Sequence, residues 1–364
     1  MIPLLDIKRQ YKEIGSEIQE AVLNLLESGN YVLGPAVQRF EAEVAEYCGS
    51  DYAISCASGT DALLLALMAF EISEGDEVIT TPYSFFSTAS VIWRLGAKPV
   101  FCDIDPVTYN INPCLIEAKI TKKTKAILPV HLYGQTADMT KINEIAMRHN
   151  LFVIEDAAQA LGAEYKGKKS GTLSNIGCFS FFPTKNLGGY GDGGMMVTNN
   201  KELADKMKML RVHGSSPKYY HKVVGINSRL DAIQAAALSV KLKYLDQWNE
   251  ARRRNAGLYN QLLSEKDIIT PKEASACKHI YNQYTIRVKD RDNLREYLKV
   301  KGIATEIYYP LPLHLQECFK DLGYKKGDFP ESESAAKETL SIPVYPELTE
   351  GEIREVASAI CNYE

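Results

Sequence analysis

Three short segments carry residues suited to one kind of chemistry. Ser58-Gly59-Thr60-Asp61 separates an apolar run from an apolar helical pattern. Gly59 permits close approach of the backbone. Thr60 and Asp61 open a helix whose first N–H groups lack partners and whose dipole attracts an anion. The dipole supplies only ~0.3–1 kcal/mol, so N–H and hydroxyl hydrogen bonds must do most of the holding. An ordinary helix cap would use the same residue types. The second segment, Val153 to Gln159, is an apolar strand pattern that delivers Asp156 at its end. A carboxylate there needs a cation or several donors; a strand-end cap is the simpler alternative. The third runs from Phe179 to Gly189. Its Lys185 follows an aromatic strand and precedes glycines, where poor solvation lowers an amine's pKa and frees it for imine chemistry. Alone it would say little, because most lysines lie at the surface.

In this order, on one sheet, the three segments supply what pyridoxal phosphate needs: an imine lysine, an acid for the pyridinium nitrogen and a phosphate cup. Asp156 would keep the ring nitrogen protonated, so that the ring accepts the electron pair when a substrate Cα–H bond breaks. Lys185 would be both imine partner and general base. Gly189-Tyr190-Gly191-Asp192-Gly193-Gly194 matches G-x-G-x-x-G literally. A dinucleotide fingerprint must open a helix, whereas this one leads into the strand pattern Met195–Thr198, so NAD binding is not expected.

The elements that must position these residues alternate. Strand patterns lie at Tyr52–Cys56, Glu77–Thr81, Pro99–Ile104, Ala126–Leu132, Phe152–Glu155, Gly177–Phe182 and Met195–Thr198. Most are continuous apolar runs, as in strands covered on both faces. Helical patterns at Asp61–Phe70, Ser87–Leu95, Pro113–Lys119 and Ile142–His149 fall between them. This predicts an α/β fold with a mostly parallel seven-stranded sheet between helices, and ligands at the carboxyl ends of the strands. A further helix is expected at Ile14–Ser28. Beyond residue 200 come helices at Lys201–Leu210 and Asp231–Leu263, a strand at Gln283–Val288, and helices at Asp292–Lys301 and Glu350–Cys361. A boundary near residue 245 divides a large domain, 1–245, from a smaller C-terminal α+β domain, 246–364. Two domains suit a chain of 364 residues at ~100–200 residues each.

Composition excludes other classes. The net charge of −4 offers no positive field for nucleic acid or an anionic membrane. The longest apolar run, Ala62 to Phe70, is far short of the ~20 residues that cross a bilayer. The first residues lack a basic stretch followed by an apolar one, so no signal peptide and a cytoplasmic protein are expected. The eight cysteines form no C-x-x-C pair, and the six histidines lack metal-ligand spacing, so a metal site is not expected.

At this level of detail the chain resembles the DegT/DnrJ/EryC1/StrS aminotransferases, the nucleotide-sugar branch of the fold-type I enzymes that use pyridoxal phosphate. The resemblance rests on SGNYVLGP at 28–35, SGTDAL at 58–63, SFFSTA at 84–89, EDAAQALGA at 155–163, SFFPTKNLGGYGDGG at 180–194 and GINSRLDAIQAA at 225–236. It implies that Lys185 is the imine lysine, Asp156 the pyridinium partner, Gln159 a contact to the ring, and Gly59, Thr60 and Ser180, with Asp61 beside them, the phosphate cup. Phe85 would stack on the ring, although core packing would also explain it. Asn227 would reach the phosphate of the other subunit, which implies a homodimer with shared sites. Relatives that dehydrate sugars carry histidine at the imine position; Lys185 therefore favours transamination.

The resemblance further implies L-glutamate as donor and a nucleotide-linked keto sugar as acceptor. A donor carboxylate suits a bidentate arginine, and Arg229 is the candidate, with a structural ion pair as the alternative. The segment His213 to His221 resembles enzymes that aminate 3-keto sugars, pointing to a 3-keto-6-deoxyhexose on dTDP or a UDP-linked 3-keto sugar. Tyr31, Tyr309 and His314 are candidate sugar or nucleotide contacts, with loop capping as the plainer account of the last two. A sugar dehydratase and a non-enzymatic regulator on the same fold are the competing readings; no nucleic-acid or membrane partner is expected.

Overall fold

The computed structural model of the protein describes residues 1–264, 266 and 268–363. Eleven helices were assigned among the described residues: α1 (Ile7–Ser28), α2 (Pro35–Cys48), α3 (Gly59–Ala69), α4 (Ser87–Arg94), α5 (Met139–His149), α6 (Lys201–Leu210), α7 (Ala232–Leu242), α8 (Leu245–Leu262), α9 (Arg291–Val300), α10 (Pro330–Glu338) and α11 (Glu350–Cys361). Seven strands build the main sheet: β1 (Tyr52–Cys56), β2 (Glu77–Thr80), β3 (Lys98–Phe101), β4 (Thr124–Ile127), β5 (Phe152–Asp156), β6 (Ile176–Ser180) and β7 (Gly194–Thr198). Their order is β1-β7-β6-β5-β4-β2-β3. Only β7 runs against its neighbours; the β6-β5-β4-β2-β3 pairs are parallel. The expected mostly parallel sheet is therefore present, with apolar side chains packed on both faces.

Several boundaries differ from the sequence reading. The strand expected over Ala126–Leu132 stops at Ile127, and Pro129, which has no N–H, follows. Pro113–Lys119 forms two single turns of 3-10 helix rather than an α-helix. The helix expected from Ile14 begins at Ile7, because the Asp6 carboxylate accepts from the N–H groups of Lys8 and Arg9. The long helix expected over Asp231–Leu263 is two helices, broken at Lys243-Tyr244. The sequence patterns place no helix at α2, although Pro35 opens it and Gly49, at φ 72°, closes it.

The break between α7 and α8 separates two apolar cores. One half of the chain buries α2, β1, β6, β7 and α7 together. The other core gathers Ala256 and Tyr259 of α8, Leu294 and Leu298 of α9, Val356 and Ile360 of α11, and a hairpin-like pair β8 (Tyr284–Arg287) and β9 (Thr339–Ile342). Ile2 belongs to this second core and bridges to Ile303. Among the described residues no helix is long and apolar enough to cross a membrane.

Candidate active site

The parallel sheet brings three distant segments to one edge. β1, β5 and β6 all end there, and antiparallel β7 starts there, so that Gly194 is paired with both Cys56 and Ser180. Asp156 closes β5, in register with Cys178 of β6. The residues after β1 turn at once into α3, where Ser58 Oγ caps the helix by accepting from the Asp61 N–H at 3.1 Å. A Cβ at Gly59 would lie 2.6 Å from Cβ of Ser180. Only glycine leaves this hollow open, and its rim is the first turn of α3 and the Ser180 hydroxyl.

Asp156 is buried. Its Oδ2 accepts from the Thr88 hydroxyl at 2.8 Å, and Oδ1 accepts from the Ala158 N–H at 3.3 Å. Burial raises its pKa; the two donors and the nearby Lys185 amine pull the other way. Lys185 follows β6 in a tight loop: its N–H donates to Phe182 O at 2.9 Å, and the Gly189 N–H donates back to Phe181 O at 2.8 Å. The residue as a whole is half-buried, but its amine is desolvated and its pKa falls to about 8, with Asp156 opposing the shift. The glycine-rich stretch after it runs into β7 and not into a helix, as the strand pattern at 195–198 indicated.

Gln159 lies one turn beyond Asp156 and is buried. Its Oε1 accepts from the Tyr133 N–H at 2.7 Å and its amide donates to the Tyr309 hydroxyl at 3.1 Å. The Tyr309 ring lies 6.0 Å from the ring of Phe85, which is 56% exposed and so available to a planar ligand. Burial, then the charge of Asp156, raises the Tyr309 hydroxyl's pKa. Tyr308 is fixed from behind, its carbonyl accepting from the hydroxyls of Tyr83 and Tyr133. Lys185, Asp156, Gln159, Tyr309, Phe85, Gly59 and Ser180 thus belong to one connected neighbourhood.

The remaining candidates are placed differently. Thr60 is exposed on the first turn of α3. Asn227 is exposed and Arg229 half-buried, and neither side chain has a hydrogen bond or ion pair among the described residues. Tyr31 is exposed, its hydroxyl donating to Leu26 O at 2.9 Å, and its segment pairs with Asp231 through Val32. His314 sits inside an apolar cluster with Phe101, Phe319 and Phe329, its Nε2 3.1 Å from Glu333 Oε1. That environment is a core, and the histidine fixes the loop that carries it.

Sequence reasoning missed four supporting residues. Thr88 lies in SFFSTA, to which the resemblance gives a role only through Phe85. Ser228, fully buried, donates to Asp61 Oδ2 at 2.6 Å. Beneath Asp156, the fully buried Glu155 carboxylate takes the N–H groups of Gly171 and Leu173, the Ser174 hydroxyl and His131 Nε2. Nδ1 of His131 accepts from the Ala137 N–H at 3.1 Å, which makes Nε2 the protonated nitrogen. No local pattern signals such pairs, whose members lie far apart in the chain.

Pyridoxal phosphate fits this arrangement: a hollow at a helix start for its phosphate, a buried acid for its nitrogen and a desolvated amine for its aldehyde. Comparison with known proteins agrees. A relative from Geobacillus stearothermophilus named "Pleiotropic regulatory protein" is 54% identical over 100% of this chain and 98% of its own. The UDP-2-acetamido-2-deoxy-3-oxo-D-glucuronate aminotransferase of Pseudomonas aeruginosa is 43% identical over the full length of both chains. The dTDP-3-amino-3,4,6-trideoxy-alpha-D-glucose transaminase of Streptomyces venezuelae is 42% identical over 99% of this chain and 95% of its own. Among solved structures, S. venezuelae DesV in complex with a ketimine intermediate superposes with a TM-score of 0.97 at 42% identity, over 99% of this chain and 97% of that one. The signature of one family matches residues 12–361. With its lysine, acid and phosphate hollow assembled on a fold-type I scaffold, the chain belongs to the DegT/DnrJ/EryC1/StrS aminotransferase family, and pyridoxal phosphate is its cofactor.

Proposed function

We propose that this enzyme transfers the amino group of L-glutamate to a nucleotide-linked 3-keto sugar, giving an amino sugar nucleotide and 2-oxoglutarate. The preferred acceptor is a 3-keto-6-deoxyhexose on dTDP, with a UDP-linked 3-keto sugar as the alternative. The observation that carries the reading is the desolvated Lys185 amine, with pKa about 8, next to the buried acid Asp156, in a chain whose relatives include named sugar-nucleotide aminotransferases of both nucleotide types.

The cofactor supplies an aldehyde to carry the amino group and a ring that accepts electron density. The chain's own residues do the rest. Lys185 offers its neutral amine and serves as the general base that takes up the proton from the substrate carbon. Asp156, with Thr88 and Ala158 behind it, holds negative charge where a ring nitrogen needs it. Gly59, Thr60 and Ser180 hold the phosphate, with Asp61 one position further along α3. Phe85 stacks on the ring and Gln159 braces its edge together with Tyr309. Tyr31, Arg229 and Tyr309 are assigned to substrate; His314 is assigned to the loop. Asn227 and Arg229, whose side chains have no hydrogen bond or ion pair among the described residues, serve the site of a second subunit. The exposed side chains of Phe182, Tyr219, Tyr220 and Val224 support such a homodimer, since exposed apolar side chains favour association. The two apolar cores support a division near residue 245, with the first residues of the chain joining the second unit. A cytoplasmic location accords with this chemistry.

The test is stoichiometric. The holoenzyme is given glutamate with the dTDP- or UDP-linked 3-keto sugar, and 2-oxoglutarate is counted against amino sugar formed. Equal amounts are expected. Consumption of the sugar without 2-oxoglutarate would indicate dehydration, and no turnover of any keto-sugar nucleotide would return weight to the regulatory role that one relative's name suggests.

A further inference from the structure

Ser228 stands between the two residues assigned to the second subunit, and it faces the other way. Residues 226–228 run as an extended segment: Val212 pairs with Asn227, the Ile226 N–H donates to Leu210 O at 2.9 Å, and the Ser228 N–H donates to Arg211 O at 3.0 Å. Successive side chains on such a segment alternate in direction. Asn227 is exposed, whereas Ser228 is fully buried. The Ser228 hydroxyl accepts from the Ala57 N–H at 3.1 Å and donates to Asp61 Oδ2 at 2.6 Å. Ala57 and Asp61 flank Ser58, Gly59 and Thr60, the chain's own phosphate hollow. A hydroxyl bonded to a carboxylate and to a backbone N–H at once has a fixed position.

We infer that Ser228 is a positioning residue that ties the arm bearing Asn227 and Arg229 to the phosphate-binding helix of its own subunit, and so couples the two sites of the dimer. The inference rests on the shared-site reading given above. Each arm is anchored on the first turn of α3 in one subunit and acts in the site of the other. Loss of the anchor then harms the neighbouring site more than the site beside it.

Hybrid dimers test this. Two differently tagged chains are assembled, one carrying Lys185→Ala, so that visible absorbance on titrating the apoprotein with pyridoxal phosphate reports only the site that retains its lysine. With Ser228→Ala added to the Lys185→Ala chain, the reporting site receives the loosened arm, and its affinity falls about tenfold, the usual effect of losing a hydrogen bond to a charged group. With Ser228→Ala in the lysine-bearing chain, the Ala57 N–H and the Asp61 carboxylate beside the reporting site lose a partner but the arm reaching that site stays anchored, and affinity falls by no more than about threefold. A defect that is as large or larger when the lysine-bearing chain carries Ser228→Ala, or no defect in either arrangement, overturns the inference. Asn227→Ala in the Lys185→Ala chain is the control. If it leaves the reporting site unchanged, the shared-site reading itself has failed; if it weakens that site while Ser228→Ala does not, only the coupling role has failed. Should Ser228→Ala chains not assemble, Ser228→Cys, of nearly the same size but a weak donor, replaces it in the same titration.

Discussion

The Thr88 hydroxyl donates to Asp156 Oδ2 at 2.8 Å, and Ser84 Oγ, 2.8 Å from Thr88 Oγ1, completes a short relay behind the acid. Since Thr88 gives its hydrogen to the carboxylate, it must take one from Ser84. Burial already raises the Asp156 pKa, and Thr88 is the first of the groups that oppose it. Thr88→Val keeps the shape and removes the donor. The carboxylate is then harder to ionise and pairs less well with a cationic ring, so the apoprotein's affinity for pyridoxal phosphate falls on the order of tenfold, about 1.4 kcal/mol. Titration followed by absorbance measures this; an affinity equal to wild type would show that Thr88 does not support the acid.

Lys185 gives a pH signature. Its pKa in the folded chain is about 8, against 10.5 for an ordinary lysine. The neutral amine is the species that attacks an aldehyde. The rate at which apoprotein captures pyridoxal phosphate should therefore climb with pH and level off above a midpoint near 8. The stability of the apoprotein moves in the same direction. A depressed lysine penalises folding fully below pH 8, and the penalty fades as pH rises from 8 to 10.5. Lys185→Met accordingly stabilises the apoprotein at pH 7, and its advantage shrinks by pH 10.5. A midpoint near 10, or a stability difference that does not change with pH, contradicts the assignment.

Gly59 leaves no room for a side chain. A Cβ there meets Ser180 Cβ at 2.6 Å, so Gly59→Ala must displace α3 or β6 at the hollow proposed for the phosphate. Overpacking of this kind costs about 1–3 kcal/mol. Denaturant unfolding of the apoprotein reads that cost, and cofactor titration should show a larger loss than stability alone explains. Retention of full affinity would mean that the hollow is not where the phosphate binds.

Glu155 tests the scaffold separately from the chemistry. Its carboxylate accepts from four donors, three of them on the loop from Gly171 to Ser174 and the fourth on His131. Glu155→Gln turns one acceptor into an amide donor facing another donor, which should cost about 2–4 kcal/mol of stability. The midpoint of urea unfolding falls, while the pH midpoint for cofactor capture stays near 8, because Lys185 keeps its surroundings. A shift of that midpoint would mean that the Glu155–His131 pair acts on the Lys185 amine.

Much of the architecture was legible along the chain. Apolar strand runs gave the seven strands of the main sheet to within a few residues, because strands covered on both faces must be apolar throughout. Lys185, Asp156 and the Ser58–Asp61 turn were legible because each follows a strand of that sheet, and parallel strands deliver their ends to one edge. The helix α2 was also written in the sequence, in Pro35 and Gly49, and went unread. The break at Lys243-Tyr244 was not written there: both flanks are helix formers without proline or glycine.

What the sequence determined by itself is therefore the sheet, the three segments on its edge and the class of cofactor they can hold. Tertiary structure decided which groups stand behind them. Thr88 on Asp156, Ser228 on Asp61, His131 on Glu155 and Tyr133 on Gln159 join residues separated by 68, 167, 24 and 26 positions. Hydrogen bonds have short range and strict direction, whereas local periodicity records only which side of an element is apolar. The same limit applies to His314: its Glu333 and Phe329 partners come from α10 and the turn before it, and they meet it only after the chain has closed.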